Sequence, residues 1–162
     1  MTETYMPAFK DLDELQNHQL NSLKWTVNHA YHGSFFYKKK LDDAKIHPDD
    51  INSLEDIEKL PFTTASDLKD GYPLPLLSVS ESEVVRIHAS SGTTGKKKIL
   101  AYTQKDINDW IHFFARCYEM AGLTKMDRVQ IAVGYGVWTA GVGFQMGCEK
   151  FGAMAIPVGP GN

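Results

Sequence analysis

The sequence predicts an α/β fold in which a helical N-terminal region, residues 1–80, precedes the start of a mixed, mostly parallel sheet with crossover helices, residues 81–162. Three observations carry that prediction. Apolar residues in the first region recur at the i, i+3, i+4, i+7 spacing of an amphipathic helix. From Val84 onward, short β-branched runs alternate with helix-periodic stretches, the pattern of parallel strands joined by crossover helices. Between the first two strand-like runs lies A-S-S-G-T-T-G-K-K-K, Ala89 to Lys98, a loop of hydroxyls, two glycines and three lysines.

In chain order, Leu12, Leu15, Leu20, Leu23, Val27, Ala30 and Tyr31 form the apolar stripe of a helix that ends at Gly33, and Ser34 is placed to cap the next one. The basic run Lys38-Lys39-Lys40 sits among Phe35, Phe36 and Tyr37, where lysines cover the wet side of a packed helix. Ser53 with Asp56 approximates a capping box for a short helix whose apolar face is Leu54, Ile57 and Leu60, stopped by Pro61. Thr64 is expected to cap another helix around Asp67 and Leu68. A Pro- and Leu-rich connector then leads to a division near Val79 to Glu83.

Val84 to Ala89 and Lys98 to Thr103 read as two strands flanking the loop, an initial hairpin ahead of the parallel part of the sheet. Thr103 caps a helix with the stripe Ile107, Trp110, Ile111, Phe114, Tyr118 and Ala121, and Gly122 suits a left-handed exit. Those aromatics read as core. Arg128 to Val133 is the next strand, Thr139 to Phe151 a helix with small residues for close packing, and Ala153 to Pro157 a further buried strand. Val129 to Cys148 carries no formal charge over a membrane-spanning length, but its glycines and its division into strand, turn and helix make it buried core rather than a span.

The loop has the composition of a polyphosphate cradle. Gly92 and Gly95 permit φ > 0 and let backbone N–H groups converge on an anion. Ser90, Ser91, Thr93 and Thr94 add short hydroxyl donors, and Lys96, Lys97 and Lys98 supply positive charge. Only two residues separate the glycines and no Ser or Thr follows the lysine, so this is not the kinase-type P-loop. A solvated turn leading into a lysine-rich edge strand accounts for the same residues and stays open at this point. The second candidate site is Gly134 to Thr139, G-Y-G-V-W-T, at the carboxyl end of a predicted parallel strand, where open α/β sheets place ligands. Tyr135 and Trp138 offer flat apolar faces there, and Gly134, Gly136 and Gly141 allow close backbone approach.

With 162 residues, 43% hydrophobic and 23% charged, the composition is that of an ordinary globular protein. A net charge of −3 gives no general attraction to nucleic acid or an anionic membrane, and neither is expected as a partner. Cys117 and Cys148 lack metal-ligand spacing and are expected as buried free thiols; without a leader pattern at the N-terminus, the expected compartment is the cytoplasm. His29 and His32 stand at i, i+3 with no third ligand, so no metal site is expected. His88, two residues before the loop serines, is expected to be satisfied by backbone hydrogen bonds. No serine, histidine and acid constellation is defensible, and no catalytic residue is assigned.

The string S-S-G-T-T-G-K closely resembles the phosphate-binding loop of the adenylate-forming (acyl-CoA synthetase) superfamily. Pro61-Phe62-Thr63-Thr64, Asp67-Leu68, Tyr72-Pro73, V-V-R-I-H-A before the loop and V-G-Y-G-V-W-T-A-G-V-G after it are similar to a phenylacetate-coenzyme A ligase, from about Phe9 to the last residue. Lys97 departs from that pattern where members carry proline, and Val133 and Trp138 stand in place of a tyrosine and a phenylalanine. The resemblance implies an incomplete adenylate-forming N-terminal domain. It implies a phosphate-binding set of Ser90, Ser91, Gly92, Thr93, Thr94, Gly95, Lys96 and Lys98, and an acyl pocket of Val133, Tyr135, Gly136 and Trp138. It also implies ATP, Mg2+ and coenzyme A as cosubstrates of an aryl acid, and a homodimer. The motifs that follow in the superfamily, for adenine, magnesium and ribose and the mobile domain with a catalytic lysine, have no counterpart before Asn162, so the chain is expected to be inactive alone. Two other function classes fit the residues: a non-catalytic phosphate- or nucleotide-binding module, and a protein-interaction scaffold using the helical half.

Overall fold

The computed structural model describes residues 4–68, 72–90 and 97–161, and the chain divides into two units, Ala8–Glu83 and Val84–Asn162 together with Met1–Pro7. In the first unit, Asp11 accepts a hydrogen bond from the Glu14 amide at 2.9 Å and starts helix α1, Leu12–Gly33. The helix ends where Ser34 turns extended, at φ −117° and ψ 120°, and residue 33 is glycine because the Ser78 carbonyl lies where a β-carbon would stand. Buried Ser34 then caps α2, Phe35–Asp43. Val27, Leu41 and Ile51 are buried together, with Leu23, Tyr31, Ile46 and Leu60 packed around them; each contributes roughly 1.5–3 kcal/mol of apolar burial. The lysine run lies on the wet side as expected, Lys38 and Lys39 pairing with Asp42 and Asp43 one turn on at 2.7 and 2.5 Å.

The short helix expected after Ser53 is present as the 3-10 helix Leu54–Lys59, with the expected Ser53–Asp56 capping box. Its apolar residues recur every three positions, the period at which 3-10 side chains eclipse. The Asn52 and Ser53 amides donate to Asp56 at 2.7 and 2.8 Å. Lys59 foremost, and then these amides, hold that carboxyl well below the usual range. Around Thr64 there is a turn rather than a helix. Thr64 and Asp67 do exchange capping bonds, but Asp67 also accepts from Lys40 at 2.8 Å, which fixes the turn on α2.

In the second unit, β1, Val84–Ala89, pairs antiparallel with β2, Ile99–Thr103, from Val84 opposite Thr103 to Ala89 opposite Ile99. Thr103 and Asp106 form a capping box that opens α3, Gln104–Met120, and Gly122 leaves it at φ +78°. Strand β3, Arg128–Gln130, connects through α4, Ala140–Phe151, to β4, Met154–Ile156, which pairs parallel to β3. The Ile131 amide extends that ladder by one bond to the Ile156 carbonyl, 2.9 Å, and the remainder of the expected strand to Val133 is irregular.

The core of this unit is Ala115, Cys148, Phe151 and Ala153, with Tyr5, Tyr118, Leu123, Val129 and Ala155 against it. Ala115, not Ala121, completes the buried stripe of α3, because Ala121 has already turned out as the exposed cap. Cys117 is exposed, contrary to expectation, while Cys148 is fully buried with Sγ 3.5 Å from the Ala153 carbonyl. Strand β4 is half-covered rather than buried: Ala155 faces the core, and alternation turns Met154 and Ile156 to an uncovered side. Among the described residues no helix is long and apolar enough to cross a membrane.

Helices α3 and α4 meet through side-chain-free positions. A β-carbon at Gly143 would fall 2.6 Å from the Phe114 ring and 2.7 Å from Trp110, and one at Gly147 would collide with the Phe114 β-carbon. Gly147→Ala is therefore expected to lower stability by about 1–3 kcal/mol, overriding the roughly 1 kcal/mol that alanine gains over glycine in a helix. Gly136→Ala, with nothing within 4 Å, should leave the denaturation midpoint close to wild type.

The N-terminal strap of this unit is held by α3. Thr4 Oγ1 and the Tyr5 amide donate to Glu119 at 2.5 and 2.6 Å, and Arg116 Nε donates to the Tyr5 carbonyl at 3.0 Å. The Thr4 hydroxyl foremost, with the backbone amides, keeps the Glu119 carboxyl below its ordinary value. A depressed folded value makes the tether complete above about pH 4.3 and lost as pH falls through the lower folded value. The Tyr5 amide shift should follow that acid titration by NMR, and Glu119→Gln should abolish the step.

Candidate functional site

The two strands of the hairpin deliver the candidate loop. At its base the Ser90 amide donates to the Lys98 carbonyl, and the Lys98 amide donates to Ser90 Oγ, both at 3.0 Å. The Ser90 hydroxyl thus closes the ladder in place of its own carbonyl and retains its proton for another acceptor. Lys97 is exposed and Lys98 half-buried. Ser91, Gly92, Thr93, Thr94, Gly95 and Lys96 lie outside the described residues. Arg86, on β1, spreads over the Trp110 ring at 5.7 Å, with both terminal nitrogens 3.6 Å from Met146 Sδ.

The G-Y-G-V-W-T segment is brought to the same place by its main chain. The Val137 carbonyl accepts from the Ala89 amide at 2.8 Å and from His88 Nδ1 at 3.1 Å. Gly141, in the first turn of α4, sits against the Gly134 carbonyl, which a β-carbon would approach to 2.6 Å. Held at these points, the segment turns Tyr135, Val137 and Trp138 outward, 40%, 49% and 54% exposed. Gly136 is exposed between them with open space around it.

Val133 lines a hollow of about 280 Å³ on β3 with Tyr118, Val129, Ile131 and Phe144. Burial foremost pushes the Tyr118 phenol up to about 12, so it stays protonated and donates to the Phe144 carbonyl at 2.9 Å. The sequence-predicted residues therefore fall into three places: the hairpin base with Ser90 and Lys98, the aromatic wall with Tyr135, Gly136 and Trp138, and the hollow with Val133. Sequence reasoning misses Val137 because it acts through a carbonyl oxygen, which any residue carries. Tyr118 reads in the sequence as core alone; its polar tip facing the glycine-rich helix is the available signal.

No family model matches the chain. Over 151 residues the chain is 47% identical to the phenylacetate-coenzyme A ligase of Escherichia coli (strain K12), an alignment taking in 93% of this chain and 35% of the relative. The chain is similar to the N-terminal third of phenylacetate-coenzyme A ligases. A second such ligase, from Thermus thermophilus, is 38% identical over 159 residues, 97% of this chain and 36% of the relative. The chain thus spans about a third of the length of the curated relatives it matches. The fold agrees: a crystal structure of 2-hydroxyisobutyryl-CoA ligase in complex with 2-HIB-AMP and CoA superposes with a TM-score of 0.84 and 27% identity, covering 94% of this chain and 33% of that one. The α/β architecture is that of an incomplete adenylate-forming domain.

Ser90→Ala removes the hydroxyl that closes the hairpin base. Because the site is exposed, the loss is about 1 kcal/mol, and the Lys98 amide should exchange with solvent about fivefold faster while global stability changes little.

Proposed function

We propose that this chain supplies the triphosphate-gripping loop and the acid-facing wall of an ATP-dependent aryl-acid, phenylacetate-type, coenzyme A ligase. The observation that carries the reading is the double hydrogen bond to the Val137 carbonyl, which puts the aromatic wall beside the entrance of the phosphate loop. Identity to phenylacetate-coenzyme A ligases supports the acid, and the neighbour bound to an acyl-adenylate and CoA supports the two cosubstrates.

In the first half-reaction a carboxylate oxygen bonds to the α-phosphorus of ATP and the bond to pyrophosphate breaks. In the second, the coenzyme A thiolate bonds to the acyl carbon and AMP leaves. Both reactants of the first step are anionic, so catalysis rests on offsetting repulsion and on stabilising the departing pyrophosphate. Ser91, Gly92, Thr93, Thr94, Gly95 and Lys96, with Ser90 and Lys98 at the base, are proposed to do this through N–H groups, hydroxyls and ammonium charge. ATP enters as its magnesium complex. Tyr135, Gly136 and Trp138 are proposed to face the aryl ring, and Val133 to shape the neighbouring hollow. Such an activity draws on the cytoplasmic pools of ATP and coenzyme A and calls for neither nucleic acid nor a membrane; a homodimer is part of the same reading.

Calorimetry tests it. Magnesium pyrophosphate and magnesium ATP should each bind the chain, and Lys98→Ala should weaken both by about tenfold or more, the cost of one charge-assisted contact. Absence of binding by the wild-type chain would remove the nucleotide reading.

A further inference from the structure

Between Ile131 and Thr139 the chain belongs to no helix or strand. Among the described residues two hydrogen bonds in the middle of that stretch converge on one atom, the Val137 oxygen. One of its donors is the Ala89 amide, on the edge of β1 turned away from β2. The other is a side chain, His88. His88 is 3% exposed, its ring edge-on to Tyr102 of β2, with centroids 5.2 Å apart at 84°, and tilted at 45° to Trp110 of α3 at 5.4 Å. Packed against both rings, the imidazole directs Nδ1 to the Val137 oxygen.

A carbonyl only accepts, so Nδ1 carries the proton in this bond, a tautomer assigned from the hydrogen-bond network. Nε2 is buried with no hydrogen-bond partner among the described residues. A phenylalanine or leucine would fill the space without leaving a buried polar atom unmatched, a penalty native interiors rarely keep without a functional return. What the ring delivers and those residues lack is the Nδ1 donor.

We infer that His88 is a positioning residue that fixes the Val137 carbonyl and thereby ties the Tyr135–Trp138 wall to the strand entering the phosphate loop. The inference rests on the reading of those two segments as acid and nucleotide sites. His88 itself touches neither reactant in this assignment. It holds in register the two surfaces between which the carboxylate and the α-phosphorus must meet, where a misplacement of an ångström is costly.

Two substitutions test it: His88→Leu, which keeps bulk and removes the donor, and His88→Asn, whose amide N–H stands near the Nδ1 position. Phenylacetate binding, followed through Trp138 fluorescence, should weaken about tenfold in His88→Leu and return to within about twofold of wild type in His88→Asn. Magnesium pyrophosphate affinity should stay near wild type in both. Without ligand, imidazole 15N shifts should show Nδ1 protonated, and the Ala89 amide should exchange about fivefold faster in His88→Leu but not in His88→Asn. Protonation at Nε2 alone, or equal phenylacetate affinity in His88→Leu and wild type, overturns the inference. If wild type binds neither phenylacetate nor pyrophosphate, the proposed function falls by itself, and the tautomer and the Ala89 exchange still decide whether His88 holds the wall.

Discussion

Phe114 packs on two positions of α4 that carry no side chain. Gly143 and Gly147 present bare backbone to the ring and to its β-carbon, so α3 and α4 approach more closely than a residue with a β-carbon would allow. That approach sets where α4 begins. Gly141 then lies on the Gly134 carbonyl, the segment between them runs back toward β1, and Val137 reaches His88 and Ala89. The placement of the aromatic wall is thus decided along the helix away from it, by a contact between a phenylalanine and two absences.

Much of this was legible because the relevant signals are local. Thr103 names a helix start by its capping hydroxyl, Ser34 names another, and the alternating runs on either side of the lysine-rich loop name a hairpin. What local signals could not show was tertiary. Thr64 and Asp67 carry capping chemistry but form only a turn, since Lys40 recruits the same carboxylate. Ala121 matches the helical period yet falls where the helix has already ended, and Ala115, hidden among larger neighbours, is the buried residue. Gly33 looks like a helix stop by composition; what the sequence does not show is that the Ser78 carbonyl packs against it and leaves no room for a side chain.

The candidate site divides in the same way. Its hydroxyls, glycines and aromatics announce themselves by residue type, and family resemblance assigns them roles before any geometry is known. The piece that joins them is a main-chain oxygen, and its partner is a histidine whose position on β1 gives no hint that its ring crosses to another segment. Residue chemistry alone offers two surfaces and does not say that they are neighbours. The aromatic packing of His88, Tyr102, Trp110, Phe114 and Phe144 from β1, β2, α3 and α4 supplies the stiffness that makes a single shared acceptor an effective joint.

A wall fastened through its backbone leaves its outward-facing residues uncommitted. Val137 contributes an oxygen to the joint while its own side chain remains half in solvent, and Tyr135 and Trp138 are likewise exposed. Substitution at these three sites can therefore remodel the exposed surface without loosening what holds the scaffold.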